Sequence, residues 1–383
     1  MVFRDRCVPL PGERAAMKVA FRVDASITIG TGHVMRSLTV ADGLRAAGAD
    51  IVFICRDHNG NLMSAIEARG YEVLRLPPTV EQEICQHESR RSNLPPHADW
   101  LGTTWQRDAE DCTRALDSIY PDWLVVDHYA LDADWERALR PRCRKIMVID
   151  DLADRAHDCD MLLDQTLGRT VDDYREHVGG EATVLAGSQY ALLKPEFAEL
   201  RQFSLDRRRT SGVRRLLITM GGIDKDNATG KVIDALKNCA LPDSCAVTIV
   251  MGGRAPWIED VRERASHMPW PTEVIVDTSE MAHLMSMSDL AIGAAGATSW
   301  ERCCLGVPSI VVVVAENQSL IAKRLAEHGC AHVVHSIDEV ERLLPDGVDP
   351  LVLSATKRTE MVHACSLVTD GKGVPMLVKR MVI

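Results

Sequence analysis

One feature constrains this chain more than any other, because it occurs twice: a short apolar strand runs into a glycine turn and then into a helix. The first copy passes from Val19, Ala20, Phe21 and Val23 through Asp24-Ala25-Ser26-Ile27-Thr28-Ile29-Gly30-Thr31-Gly32 to His33. The second passes from Leu216-Leu217-Ile218-Thr219-Met220 through Gly221-Gly222 to a helical pattern over 227–236. A strand that is apolar on both faces has to be covered by helices on both sides, which is the situation of a parallel sheet.

Around each copy, strand and helix patterns alternate. In the first half the strands are expected at 19–23, 50–55, 72–76, 123–127, 145–150 and 161–164, with helices at 33–47, 62–69, 107–119 and 133–139. Met35, Leu38, Ala41 and Leu44 are read as the buried face of the first helix. In the second half strands follow at 247–251, 273–276, 290–292, 309–314 and 332–334, with a helix at 320–328. The predicted fold is therefore α/β, two Rossmann-like domains with parallel sheets facing across a cleft. The expected units are 17–203 and 213–383. Between them, Arg207-Arg208-Arg209 with Arg214 and Arg215 reads as a solvated basic linker. A chain of 383 residues has room for two such units. Residues 1–16 are polar and lack periodicity, so a disordered extension is expected there, and 79–104 reads as a long loop of the kind that often serves function.

Net charge narrows the function classes. At −11, the chain lacks the basic surface that nucleic-acid or anionic-membrane binding requires. The longest apolar run, 310–315, is far too short to span a bilayer, and a cytoplasmic protein is expected. The twelve cysteines are scattered through apolar patterns with no Cys-x-x-Cys pair, which suggests buried reduced thiols. Cys303-Cys304 reads as helix core. The segment from His328 to His332, with Cys330 between, is the nearest approach to a metal-ligand cluster, and the favoured reading is a helix ending at Gly329 before a strand.

The chemistry gathers at strand exits. Gly30 and Gly32 permit a tight turn and close approach of a ligand, and the helix start that follows favours an anion. His33 there is a candidate base. Gly30-Thr31-Gly32-His33-Val34-Met35 lacks the third glycine of a dinucleotide fingerprint, and there is no P-loop lysine. Asp127-His128-Tyr129 follows a buried strand and presents polar groups at the same edge. Asp150-Asp151 follows another, where helix capping is the favoured reading. In the second half, Ala294-Ala295-Gly296-Ala297-Thr298-Ser299-Trp300-Glu301 is a small-residue turn whose amides and hydroxyls suit a diphosphate, with Glu301 placed to accept from a ribose diol. Asn317 and Gln318 offer amides for sugar hydroxyls or N-acetyl groups.

Taken together, Phe21-Arg22-Val23-Asp24-Ala25 with Gly30-Thr31-Gly32-His33, Val125-Val126-Asp127-His128-Tyr129, Met220-Gly221-Gly222, the 294–301 turn and Asn317-Gln318 resemble the glycosyltransferase-B superfamily. Within it, they resemble the hydrolases that cleave a UDP-linked diacetamido-trideoxy sugar in pseudaminic acid biosynthesis. The resemblance implies His33 as catalytic base and Tyr129 beside the reacting sugar. It also implies nucleotide contacts from Gly221, Gly222, Ala295, Gly296, Ser299 and Glu301, with Thr298 at the diphosphate. Asp24 or Asp127 is expected to orient the imidazole. Arg22, Gly30, Gly32, Asp127, Asn317 and Gln318 are candidate substrate contacts. No Asp-x-Asp pair is placed convincingly for a metal, so no metal and no cofactor are expected, and a UDP-sugar is the only partner indicated. Two related activities share these expectations: transfer of the sugar to an acceptor, as in the peptidoglycan N-acetylglucosamine transferase, and hydrolytic 2-epimerisation. A nucleotide-binding module without turnover is a third.

Overall fold

The computed structural model describes residues 16–78, 95–209 and 212–382. The leader up to residue 15, residues 79–94 of the long loop, and Cys7 and Cys85 lie outside the described residues. The first half runs β1 (Lys18–Val23), α1 (Gly32–Ala46), β2 (Asp50–Arg56), α2 (Met63–Ala68), β3 (Glu72–Leu76), α3 (Trp105–Leu116), β4 (Trp123–Asp127), α4 (Ala133–Leu139), β5 (Lys145–Ile149), β6 (Met161–Asp164) and β7 (Thr183–Ala186). After α5 (Pro195–Arg208) the second half runs β8 (Arg215–Thr219), α6 (Ala228–Leu236), β9 (Ala246–Met251), α7 (Ile258–Ser266), β10 (Thr272–Val276), α8 (Met281–Met287), β11 (Leu290–Ala294), α9 (Thr298–Cys304), β12 (Ser309–Val312), α10 (Ser319–Glu327), β13 (His332–Val334), α11 (Val340–Leu353), α12 (Ala355–Ser366) and α13 (Gly373–Val382).

The strands form two sheets, ordered β3-β2-β1-β4-β5-β6-β7 and β10-β9-β8-β11-β12-β13, with parallel pairing throughout. The strand order reverses between β1 and β4 in the first sheet and between β8 and β11 in the second. Ligands of open α/β sheets bind at such points, beyond the carboxyl ends of the strands. The exits of these four strands carry the motifs singled out from the sequence: 24–33, 127–129, 220–222 and 295–301.

The structure corrects four expectations. The helix α5 runs unbroken through residue 203 and packs on the second half, where Phe197 joins a core with Trp300, Cys303 and Cys304. The helix α13 returns to the first half. Val374, Leu377 and Met381 pack with Val34, Leu38, Ala41 and Leu44, and Trp123 Nε1 donates to the Met381 carbonyl at 3.1 Å. Met35 is 37 % exposed, because Val34, which is 1 % exposed, takes the core-facing position one residue earlier on the same turn. The basic run is not simply solvated. Arg207 pairs with Asp289 at 2.7 Å, while Arg208 is buried and donates to the carbonyls of Met285 at 2.8 Å and Ser288, closing the C-terminus of α8.

Candidate active site

The Ser26 side chain builds the turn after β1. Its hydroxyl accepts from the amides of Thr28 at 3.1 Å and Ile29 at 2.9 Å, and its carbonyl accepts from Gly30 at 2.9 Å. Gly30 completes the turn at φ +83°, a conformation that costs an L side chain strain. Thr31 then stands at the N-cap of α1 without a side-chain capping bond. Its side chain lies instead against the second half: a Cβ on Gly222 would sit 2.9 Å from Thr31 Oγ1. The two glycine turns therefore meet face to face across the cleft.

His33, one residue inside α1, is buried with Nδ1 2.6 Å from Asp127 Oδ1 at the end of the neighbouring strand β4. Arg36, one turn further along α1, grips the same carboxylate with Nε at 2.7 Å from Oδ2 and Nη2 at 2.6 Å from Oδ1, and Ser37 Oγ donates at 3.2 Å. Burial alone raises the pKa of a carboxyl, but Arg36 and then His33 outweigh it and hold Asp127 well below the ordinary range. An ionised Asp127 accepts a proton carried on Nδ1, and that tautomer leaves the lone pair on Nε2. Nε2 makes no hydrogen bond among the described residues.

The other arm of the Arg36 fork, Nη1, binds Asp151, which accepts from the Tyr129 hydroxyl at 2.9 Å. Burial, and then Asp151, push the Tyr129 phenol well above its ordinary value, so it acts as a neutral donor. Its ring meets the His33 ring edge-on with centroids 4.5 Å apart. Asp151 thus belongs to this network rather than capping a helix, whereas Asp150 does stabilise its own turn, accepting from the Ala153 amide at 2.8 Å.

Two further side chains complete the wall. In the described end of the long loop, Trp100 stacks on Tyr129 with centroids 5.9 Å apart and His97 lies tilted against it at 5.6 Å, and Trp100 lies 6.4 Å from His33. The groups that act electrostatically on His97 include Asp154, Arg155, His33 and, from the second half, Glu316. Sequence reasoning marked this loop for function but not these residues. Their one signal was two aromatic rings three positions apart in an otherwise polar stretch.

Three candidates do not reach the cleft. Arg22 is fully buried, with Nε and Nη2 on Asp108 at 3.1 Å and 2.7 Å and Nη1 on Asp24 at 2.7 Å. A charged residue in a strand covered on both faces needs such partners, so Arg22 is a core residue and not a substrate contact. Asp24 is likewise taken up by Arg22 and by the Arg56 amide at 2.7 Å, and its other oxygen faces His128 at 3.3 Å and His58 at 3.4 Å rather than His33. The imidazole is oriented by Asp127, which stands behind it and is 1 % exposed, out of reach of a ligand.

On the second half, Gly221 adopts φ +102°, and the space where a Cβ of Gly296 would lie is open. Ala295 is buried beneath the turn. Buried Arg302 braces it, donating to the Ala294 carbonyl at 2.9 Å, Ser299 Oγ at 3.0 Å and Thr298 Oγ1 at 3.3 Å. Burial pushes the Glu301 carboxyl up to about 7 against the pull of Lys194 and Arg302. Glu301 Oε2 is buried without a partner among the described residues, and so is Asp151 Oδ1 on the other side of the cleft. Asn317 is exposed, whereas Gln318 turns its amide oxygen back to the Val314 amide at 3.1 Å. Asp224 accepts from the amides of Ala228 and Thr229 and so caps α6.

This architecture, two parallel α/β sheets with their switch points facing each other, is the glycosyltransferase-B fold. Residues 226–379 match the Glycosyltransferase family 28 C-terminal domain. The MurG structure of Acinetobacter baumannii superposes with a TM-score of 0.66 at 16 % identity, covering 95 % of this chain and 99 % of that one. The UDP-2,4-diacetamido-2,4,6-trideoxy-beta-L-altropyranose hydrolase of Campylobacter jejuni is 24 % identical over 314 residues, 82 % of this chain and 97 % of that protein. An uncharacterized protein of Methanocaldococcus jannaschii is 23 % identical over 307 residues, 79 % of this chain, and the match spans only 56 % of its length.

Proposed function

We propose that the chain processes a UDP-sugar, and specifically that it hydrolyses a UDP-linked diacetamido-trideoxy sugar at the anomeric carbon with inversion. The products are UDP and the free sugar, a precursor of pseudaminic acid. The observation that carries this reading is His33: its Nδ1 is held by buried Asp127, and its Nε2 makes no hydrogen bond among the described residues, beside the glycine turn that meets the second half. The kinship with the Campylobacter hydrolase supports the choice of substrate.

In this reading Gly221, Gly222 and the turn at Ala295, Gly296, Thr298 and Ser299 hold the diphosphate, and Glu301 accepts from the ribose. The sugar lies toward His33, between Tyr129 and Asn317. Nε2 of His33 takes a proton from water as its oxygen attacks the anomeric carbon, and the bonding pair leaves with the diphosphate oxygen. A positioned base of this kind contributes about 10²–10⁴-fold in rate. Preorganised donors at the turn stabilise the departing charge without reorganisation. Arg302, held under the Thr298 and Ser299 hydroxyls, keeps that turn in place.

Transfer of the sugar to an acceptor is the second reading, favoured by the glycosyltransferase family 28 match over residues 226–379. One experiment separates the two: incubation with the UDP-diacetamido sugar in ¹⁸O-water, followed by mass spectrometry of both products. Hydrolysis at carbon puts the label in the free sugar. Label in UDP overturns the mechanism, and turnover only on adding an acceptor overturns hydrolysis in favour of transfer.

A further inference from the structure

Three cysteines from separate parts of the chain converge in the core of the second half, and one of them, Cys303, follows the 294–301 turn by two residues. Cys303 lies near the end of α9, Cys330 follows the left-handed Gly329 between α10 and β13, and Cys365 lies in α12. Their Sγ atoms all lie within 4.8 Å of one another, and the residues are 2 %, 2 % and 1 % exposed. Cys365 Sγ donates to the Cys330 carbonyl at 3.3 Å. The adjacent Cys304 is also buried, but its Sγ faces away, toward the Phe197 carbonyl at 3.6 Å. All three are free thiols.

Small apolar residues would fill this volume as well as thiols do, so three sulfurs in one cluster call for a chemical reason. A cation bonded to three sulfurs at about 2.3 Å in a plane holds them about 4.0 Å apart, within reach of small rotations from the arrangement described. Thiolates select soft ions over hard ones. The charge balance points the same way. Arg302, next in sequence to Cys303, is 1 % exposed and forms no salt bridge among the described residues. A divalent cation on three thiolates carries one negative charge, which the buried guanidinium complements.

We propose that Cys303, Cys330 and Cys365 form a binding site for one soft divalent cation within the core of the second half. On binding, each Sγ–H bond gives way to an Sγ–metal bond and three protons pass to solvent, with no change of oxidation state. The site shares the helix α9 with the proposed nucleotide turn, but Cd(II) binding is read without any sugar nucleotide, so its test stands apart from the chemistry proposed above.

Cd(II) is the probe, added to the reduced, metal-free full chain and read by the ultraviolet thiolate-to-metal charge-transfer band. The expected result is one tight Cd(II) per chain, with a raised Tm. Cys303→Ser, Cys330→Ser and Cys365→Ser should each weaken it at least about 100-fold, since loss of a direct ligand exceeds the loss of an outer partner. Cys304→Ser should leave it unchanged. X-ray absorption at the cadmium edge of the unaltered protein counts the sulfurs directly, whether or not the serine variants fold. Three sulfurs support the site. Two or fewer, no tight ion, or equal weakening by Cys304→Ser overturns it.

Discussion

Nδ1 of His33 and Oδ1 of Asp127 lie 2.6 Å apart, joining the start of α1 to the end of β4 across the reversal point of the first sheet. The bond fixes which ring nitrogen faces the cleft. His33→Asn should therefore lower kcat about 10²–10⁴-fold while KM changes little. Asp127→Asn keeps the shape but presents the amide without the carboxylate's charge, so kcat should also fall steeply. Steady-state kinetics on the UDP-diacetamido sugar decide the matter, and near-normal turnover in a folded His33→Asn protein removes His33 as the base.

Arg36 neutralises two carboxylates at once, Asp127 and Asp151. Replacing it by Met leaves both charges without a cation, and a broken buried pair typically costs about 3–5 kcal/mol. Urea denaturation should show that loss. The sign of its pH dependence follows from Asp127, whose pKa is lowered on folding. The stabilisation is fully present above the ordinary carboxylate range and is lost as pH falls below it. Arg36→Met should therefore be most destabilised near neutrality, and its deficit should shrink on acidification. A deficit that is constant with pH contradicts this role.

Trp100 stacks on Tyr129 with ring centroids 5.9 Å apart, at an interplanar angle of 29°. Trp100 makes no hydrogen bond to the His33–Asp127 pair, so it is placed to bind rather than to react. Trp100→Ala should raise KM for the sugar nucleotide more than it lowers kcat. The reverse split would move Trp100 from the binding wall into the chemistry.

The positions of these residues were unequally legible in the sequence. Strand exits could be read because a parallel strand buried on both faces is a continuous apolar run, and β4, whose five residues are all buried, is such a run. That placed His33, Asp127 and Tyr129 at one edge. What the run cannot reveal is which acid faces which base. Arg22 is paired with Asp108, 86 positions away, and Arg36 with Asp151, 115 positions away. Asp24 and Asp127 stand at the ends of adjacent strands, and only their contacts separate them: Asp24 pairs with Arg22, whereas Asp127 meets Nδ1 of His33. The cysteine cluster was equally hidden, since its members are separated by 27 and 35 residues and share no spacing motif.

Turnover should continue in EDTA, because the proposed mechanism asks only for amide donors and hydroxyls at the second-half turn to stabilise the diphosphate. Assays with and without chelator test this. Complete loss restored by Mg²⁺ would place a metal in the mechanism. The thiol site offers no confusion here, because a soft ion in the core is not replaced by Mg²⁺.

Glu301 ties stability and binding to pH in opposite senses. Its carboxyl moves from 4.5 to about 7 on burial, so the folded chain holds a proton that the unfolded chain releases. Stability from this group is complete below about pH 4.5 and is lost as pH rises through about 7. Glu301→Gln should match the parent Tm in acid and exceed it above neutrality. A ribose diol, however, needs the ionised carboxylate as acceptor. Binding of the UDP-sugar, measured calorimetrically in the inactive His33→Asn background, should therefore tighten as pH rises through about 7. Adding Glu301→Gln should weaken it and flatten the profile. Equal affinity with and without Glu301→Gln across this range would sink the assignment of Glu301 to the nucleotide, while leaving its effect on stability to stand by itself.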